Sequence, residues 1–394
     1  MAHELTLSTV ASRAGVTPAT LRRWAQSGVI PGYDGEWTPA AAAHARIVAR
    51  LRERGHSLQA IRRAGEAGRL AFSYTEDLFP HEEGPYDLKD AVKETGLEAA
   101  LIERIYAAAG FSAAQLDSLN DDDLQLLRYI AAVLAAGFPL VAFLQLVRVY
   151  GQAVAQIADA EVRLFHLYVH EPLMRDGVGG MEMAEEMEGL ARELLPLASP
   201  IMDAMHQRFL SHFVEQDVVG HMEMDLEGAL DLGRLRVCIA FADLAGYTRL
   251  TEELGDEMAV DAVERFVESV ENTLPDDARI VKTIGDEVMV VASDTGGLVD
   301  WAVGFQDLVQ NERPLPRIGL HFGEVVYRDG DYYGREVNLS ARVVARAAGG
   351  EVLVTRPVVA AAGPHLEFER IGEVKLKGFS ETTELFLATM GEEE

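Results

Sequence analysis

The chain has 394 residues, of which 48% are hydrophobic and 25% charged, and its formal net charge is -29. One hydrophobic core rarely serves more than about 300 residues, so this length predicts two or three domains. The negative charge excludes a protein that binds nucleic acid over its whole surface, because neutralising phosphates requires clustered Lys and Arg. Arginines are nevertheless concentrated before Thr75, which makes the N-terminal segment basic and the rest acidic.

Residues 1–75 are predicted to be a basic, all-α module. A helix is indicated from Leu7, Gly15 ends it, and Thr17-Pro18 is an N-cap followed by a first-turn proline. The remaining elements are predicted at 19–26, 40–55 and 58–67 as helices and at 32–37 as a small wing.

This module resembles the MerR-type helix-turn-helix family. The resemblance is carried by the segments Ser8-Thr9-Val10-Ala11, Gly15-Val16, Thr20-Leu21-Arg22-Arg23-Trp24, Gly28-Val29-Ile30 and Leu51-Arg52-Glu53-Arg54-Gly55-His56-Ser57-Leu58. It implies a winged helix with Arg22 and Arg23 on the recognition helix. Two interpretations stay open: DNA binding, and an interaction or sensory role, which the acidity of the remaining chain favours.

A loop at 76–85, rich in Pro, Gly and acidic residues, separates this module from a second all-α domain at 86–216, predicted to be a helical bundle. Ala135-Ala136-Gly137-Phe138-Pro139 and Leu146-Val147-Arg148-Val149-Tyr150-Gly151-Gln152 resemble the helical regulatory domain that precedes some actinobacterial cyclase domains. The resemblance implies that the all-α half regulates the C-terminal domain.

The stretch 129–147 is apolar enough to be weighed as a membrane span. Gly137 and Pro139 interrupt it, so we expect two buried helices and no membrane span. Since no apolar leader comes after the first residue either, we expect a cytoplasmic protein.

Two features of this half suggest how it regulates. Eight of the twelve methionines lie between positions 174 and 224, which suits either core filling or a pocket for a hydrophobic ligand. His166 and His170 are four residues apart, which suits either surface histidines or a response to pH. Residues 217–233 are predicted to be a linker and switch segment. A lipid and a proton are therefore both open as regulatory ligands.

After Leu235 strands and helices alternate, which predicts an α+β domain at 234–390 related to the ferredoxin-like fold. Cys238, the one cysteine, lies in its first buried strand. Asp243 comes at the end of that strand, and the start of the next helix, Gly246, Tyr247 and Thr248, can receive phosphates on its amides while the carboxylate binds a cation. A hairpin turn carries a second carboxylate, Asp286, and two such groups suit a two-metal site.

Together, residues 241–248 and 282–286 resemble the class III nucleotidyl cyclase catalytic domain. The resemblance implies that Asp243 and Asp286, with the Leu244 carbonyl, bind two divalent ions, Mg²⁺ or Mn²⁺. It also implies that the metal-binding residues of one copy meet the remaining site residues of a second copy in a homodimer.

The same resemblance gives roles to five further residues. Lys282 and Asp331 would read the purine, and a lysine donor with an aspartate acceptor suits adenine, which favours ATP over GTP. Asn338 would orient the ribose and Arg342 would neutralise charge on the α-phosphate; they are four residues apart and share one helical face. Lys377 would contact the terminal phosphates.

One position departs from the family pattern: Glu324 stands where we expect a phosphate-contacting arginine. The sequence therefore predicts an adenylyl cyclase that makes 3′,5′-cyclic AMP and pyrophosphate, with triphosphate binding weakened or rearranged at Glu324. Two alternatives stay open, a guanylyl cyclase and a DNA-binding regulator whose cyclase-like domain only senses nucleotide.

Overall fold

The computed structural model describes residues 5–30, 33, 35–66, 84–175, 180–227 and 235–391. The chain forms two compact units, Met1–Leu210 and Ser211–Glu394. Most of the predicted linker at 76–85 and much of the predicted wing at 32–37 lie outside the described residues.

The first unit begins with helices whose starts are fixed by threonine caps. Thr6, Thr17 and Thr38 each accept a hydrogen bond from a backbone amide in the first turn of the helix that begins there. The helices are α1 (Leu7–Arg13), α2 (Pro18–Gln26), α3 (Pro39–Glu53) and α4 (Leu58–Glu66). Leu21 and Trp24 of α2 are buried in their shared core, whereas Arg22 and Arg23 are exposed. The helical character of this segment is confirmed, and its MerR-like identity stays a prediction.

A second set of helices has a core of its own. It comprises α5 (Leu88–Thr95), α6 (Ala99–Ala109), a 3₁₀ turn (Ala113–Asp117), α7 (Asp121–Ala135) and α8 (Leu140–Phe165). Capping boxes at Asp87 and Asn120 fix the starts of α5 and α7. Ile102, Leu127 and Phe143 are buried between these helices, as the apolar spacing predicts.

The apolar stretch at 129–147 is two helices, because Gly137 adopts φ 94° between α7 and α8. The expectation that both helices are buried is wrong in part: Tyr129 is 64% exposed and Val141 is 70% exposed. The apolar faces of α7 and α8 extend beyond the part of each helix that packs in the core. By length and composition alone, the helical stretch Leu140–Leu173 could cross a membrane, and it is the one helix in the described part of the chain with this property.

α8 continues through a π-helical turn (His166–His170) into α9 (Glu171–Arg175), and α10 (Gly180–Glu227) comes next. The Nδ1 atoms of His166 and His170 lie 3.2 Å apart. Residues 217–227, predicted to be part of a linker, are instead the last turns of α10, which continues through Gly220. The side chains of six of the eight methionines lie outside the described residues.

The second unit is an α+β domain built on one mixed sheet. Its strands are β1 (Leu235–Leu244), β2 (Arg279–Ile284), β3 (Glu287–Ala292), β4 (Pro316–Arg328), β5 (Asp331–Tyr333), β6 (Val352–Thr355), β7 (Leu366–Lys375) and β8 (Thr382–Met390). Its helices are α11 (Tyr247–Leu254), α12 (Asp256–Thr273), α13 (Thr295–Leu308), α14 (Arg335–Val344) and α15 (Arg356–Ala361).

The strand order is β2-β3-β1-β4-β6-β8-β7, and β5 pairs with β4. β4 and β6 are parallel, whereas the other neighbouring pairs are antiparallel. Alternate residues of β1 point to two cores: Cys238 lies in the larger core with α12, α13 and α15, and Ile239 lies on the opposite face. β4 is one strand where two were predicted, because Gly323 continues the pairing with β1.

Candidate active site

Two aspartates meet where β1 ends. Asp243 is the second-last residue of β1, and Asp286 lies in the turn between β2 and β3 after Gly285, which adopts φ 65°. The two carboxyl groups are within hydrogen-bonding reach of each other. Burial and the neighbouring Asp243 raise the pKa of Asp286 to about 6. This end of the sheet therefore carries more negative charge than its surroundings neutralise.

Two further charged residues beside the pair were missed by the sequence analysis. Arg317 faces Asp243 from β4; its Nε donates to Asp243 Oδ2 at 2.8 Å, and its Nη2 donates to the same oxygen. Glu287 faces Asp243 from β3, and burial, followed by the charges of Asp243 and Asp286, raises its pKa. Both are fixed by strand register, which the local sequence does not reveal.

The first turn of α11 comes directly after β1. Gly246 adopts φ 85° and begins the helix, Tyr247 is partly buried and Thr248 is exposed. The amides of a first helical turn have no partner inside the helix, so they can receive an anion. The Leu244 side chain is buried in the core, and the backbone carbonyl is the atom of this residue that could bind a cation.

The donor set fits magnesium or manganese. Among the described residues, no group of three or more His, Cys, Asp or Glu side chains is arranged to hold a metal ion. Mg²⁺ is commonly held by only one or two carboxylates, with water and substrate phosphates completing its shell. Arg317 binds Oδ2 of Asp243. Asp243 and Asp286 would hold the ions.

The predicted purine-reading residues form an ion pair. Lys282 Nζ, on β2, donates to Asp331 Oδ2 at the start of β5, although the two are far apart in sequence. The other oxygen, Asp331 Oδ1, accepts the backbone N–H of Tyr332 at 2.8 Å. Both side chains remain partly exposed, so a ligand can reach them.

Helix α14 presents Asn338 and Arg342 outward from the sheet. Both are exposed, whereas Ser340, between them, is buried and donates to the Ile239 carbonyl at 2.7 Å. A Cβ on Gly319 would lie 2.2 Å from the Val344 backbone nitrogen, so the helix rests directly on the backbone of β4.

The first turn of α14 has a second attachment. Glu336 Oε2 lies 2.5 Å from Nε2 of the buried His321, whose Nδ1 lies 2.8 Å from Thr355 Oγ1. Burial lowers the pKa of His321, and Glu336 opposes that shift. The helix is thus held at both ends.

Lys377 is exposed in the turn after β7. Lys375, with which it could be confused, donates through Nζ to the Ser380 carbonyl. Lys377 is therefore better placed for a ligand.

Glu324 lies on β4, away from the acidic pair. Glu324 faces Arg236 across the β1–β4 ladder, whereas Arg317 faces Asp243. Seven residues of extended strand, about 23 Å, separate positions 317 and 324. The effect of Glu324 on triphosphate binding therefore stays a prediction.

The structure thus brings Asp243 to Asp286 and Lys282 to Asp331, and places Asn338 and Arg342 on one face. In the described part of the chain, no hydrogen bond or ion pair joins the acidic pair to Lys282, Asn338 or Lys377.

Two families match the chain in this order. Residues 25–214 match the family described as the adenylate cyclase regulatory domain, and residues 234–389 match the adenylate and guanylate cyclase catalytic domain. The first match begins at the end of α2 and extends through the second set of helices into α10. The second covers the whole α+β domain.

Individual proteins give the same result. The chain is 30% identical to an adenylate cyclase of Streptomyces coelicolor over 71% of its own length and 72% of the relative's. It is 27% identical to a pH-sensitive adenylate cyclase of Mycobacterium tuberculosis over 89% of each chain. Among solved structures, the adenylyl cyclase CyaB from P. aeruginosa is 22% identical, with a TM-score of 0.37 over 41% of this chain and 96% of that one.

Proposed function

The chain belongs to the adenylate and guanylate cyclase family and has adenylate cyclase activity, and on that premise we propose a two-metal reaction of ATP at the interface of a homodimer. The observation that carries the proposal is the proximity of Asp243 and Asp286, which helps to raise the pKa of Asp286, because cations stabilise two adjoining carboxylates.

ATP is the proposed substrate because of the polarity of the purine-reading pair. Lys282 donates to N1 of adenine, and Asp331 accepts from the exocyclic amine. Guanine presents a donor at N1 and an acceptor at C6, so this pair would face guanine with the wrong groups. Leaving buried polar groups unmatched costs more than losing an apolar contact.

The reaction forms a bond between the ribose 3′ oxygen and the α-phosphorus and breaks the bond to pyrophosphate. When bound, divalent ions at Asp243, Asp286 and the Leu244 carbonyl polarise the 3′ oxygen and stabilise the leaving group. Asn338 orients the ribose, and Arg342 neutralises charge on the α-phosphate. Amides at Gly246, Tyr247 and Thr248, together with Lys377, bind the triphosphate.

The homodimer is proposed because one chain holds the acidic pair and the adenine pair in separate places. Nothing described links the acidic pair to the adenine pair within a chain, and a second copy related by a two-fold axis would present the complementary half to each. Each dimer would then hold two sites.

The test measures product formed from ATP and from GTP, with Mn²⁺ and with Mg²⁺, by wild type and by Asp243→Ala. We expect cyclic AMP from ATP, little product from GTP, and none from the variant. A chain that binds DNA and turns over neither nucleotide would instead support the DNA-binding regulator.

The dimer is tested by mixing two inactive variants, Asp243→Asn and Arg342→Ala. Half of the randomly assembled dimers would be mixed and would contain one intact site of two, so activity returns to about a quarter of wild type. Mixtures that stay inactive would show that each chain builds its site alone.

We further propose that the N-terminal helical half regulates the reaction in response to pH or to a hydrophobic ligand. The support is the regulatory-domain match and the contact between His166 and His170 in a π-helical turn. Replacing both by Asn should flatten the pH dependence of activity in the full chain. An unchanged profile would remove these histidines as the proton sensor.

A further inference from the structure

Arg279, at the start of β2, lies between two aromatic rings. Its guanidinium carbon is 5.3 Å from the ring centroid of Phe213 and 5.5 Å from that of Tyr332. Its Nη2 also donates to the Tyr332 hydroxyl. A planar cation can use its faces on aromatic rings and its edge in a hydrogen bond at the same time.

The contact continues directly to the adenine-reading pair. Tyr332 donates its backbone N–H to Asp331, the carboxylate that also binds Lys282. Arg279 and Lys282 belong to the same strand, so Arg279 is connected to the pair along β2 and again through β5.

Tyr332 is well suited to hold this position. It is only 5% exposed, and its ring contacts Tyr327 edge-on with 5.1 Å between centroids. Burial raises the pKa of its hydroxyl, so the phenol stays protonated at neutral pH and can both accept from Arg279 and keep a proton. Its backbone, and with it the Asp331 carboxylate, is therefore fixed by packing.

The other ring belongs to helix α10. Phe213 lies on the part of α10 that belongs to the second compact unit, and one turn further Gln216 Nε2 donates to the Asp276 carbonyl just before β2. Two contacts in neighbouring turns thus attach this part of α10 to the start of the strand that carries Lys282.

We propose that Arg279 is a positioning residue for adenine recognition, which holds Asp331 through Tyr332 and is itself held by Phe213 of α10. The inference rests on the proposed use of Lys282 and Asp331 to read adenine. A displacement of α10 at Phe213 would loosen the guanidinium and change nucleotide affinity and selectivity before it changed the chemical step.

The main test uses Arg279→Lys in the full-length chain. Lysine keeps the charge and loses the planar faces and the fixed direction of the guanidinium N–H groups. We expect the KM for ATP to rise about tenfold with kcat within about twofold, and the preference for ATP over GTP to fall several-fold. Phe213→Leu keeps an apolar side chain and removes one ring, and should shift the same quantities by a smaller factor.

Arg356→Lys is the matched control. Arg356 also stacks on an aromatic ring, Phe386 at 5.5 Å, and binds a carboxylate, Glu384, away from the site. It should leave KM, kcat and selectivity unchanged. If Arg279→Lys lowers the melting temperature but moves KM and selectivity no more than Arg356→Lys does, Arg279 is only structural and the inference is wrong.

Asp243→Ala is assayed in parallel so that the two proposals can fail separately. Wild-type turnover that this variant abolishes, with an unchanged KM in Arg279→Lys, overturns only the inference. Absent wild-type turnover overturns the proposed function. Equilibrium binding of a fluorescent ATP analogue then still tests Arg279, since equal affinity of Arg279→Lys and wild type would contradict its role.

Discussion

Two of the carboxylate–cation pairs in the catalytic unit, Lys282–Asp331 and Arg317–Asp243, differ in charge balance. Lys282 and Asp331 neutralise each other, and Asp331 has an additional amide donor from Tyr332. Around Asp243, Arg317 pairs with a member of a group of three carboxylates and the charge of Arg342 also acts on Glu287, yet the pKa of Asp286 rises to about 6. A balanced pair suits an uncharged purine, whereas a surplus of negative charge suits metal ions. Charge balance therefore distinguishes the two halves of the site more clearly than residue type does.

The largest effect is expected when Asp243, one of the three clustered carboxylates, loses its charge. Asp243→Asn leaves Arg317 unmatched and takes away a charge that the cations need. We expect kcat to fall about 10³-fold or more, measured as cyclic AMP formed with Mn²⁺. Asp294→Asn, which changes an N-cap of α13 away from the site, is the control and should keep its activity.

Exchanging Lys282 and Asp331 should change which purine base the enzyme prefers. In Lys282→Asp with Asp331→Lys, the charges still neutralise each other but donor and acceptor exchange places. We expect kcat/KM for ATP to fall about 10²-fold and the ratio of GTP to ATP turnover to rise. A double variant that keeps its preference for ATP would show that other groups read the base.

A smaller effect is expected when Lys375 and Lys377, near the end of β7, are replaced and their effects on KM are compared. Lys377→Ala should raise the KM for ATP about three- to tenfold, because an exposed ammonium contributes a modest amount to phosphate binding. Lys375→Ala removes a contact to the Ser380 carbonyl and should leave KM unchanged. Equal effects of the two changes would contradict the assignment of Lys377.

The smallest effect is on stability. An unfolded aspartate has a pKa of about 3.9, so between about pH 4 and 6 the folded chain binds more protons at Asp286 and its stability falls as pH rises. Without metal, Asp286→Asn should therefore melt a few degrees above wild type at pH 7 and equal to it near pH 4. Mn²⁺ should raise the melting temperature of wild type more than that of the variant.

The sequence predicted most of the features that depend on local pattern. Helix caps and strand alternation placed α2, α3, β1 and β3 within a few residues, and the motifs predicted that Lys282 and Asp331 act together. The features that escaped prediction depend on pairing across the sheet. Arg317 and Glu287 face Asp243 only because of register, and nothing near them in sequence marks them.

β7 and β8 were missed for a different reason. β7 is mostly exposed, and its outward residues are charged and glutamate-rich, so its alternation is weak. The last turns of α10 were predicted to be a linker because residues 217–233 precede the region where strands and helices alternate, yet the helix continues through Gly220 to Glu227.

The close packing of α14 on β4 affects how activity could be regulated. With no space for even a methyl group at Gly319, the helix that carries Asn338 and Arg342 can neither slide nor roll without deforming the strand that also bears Arg317. In the proposed homodimer, an input signal would therefore change how the two catalytic domains meet, and would leave the arrangement of β4 and α14 inside each domain unchanged.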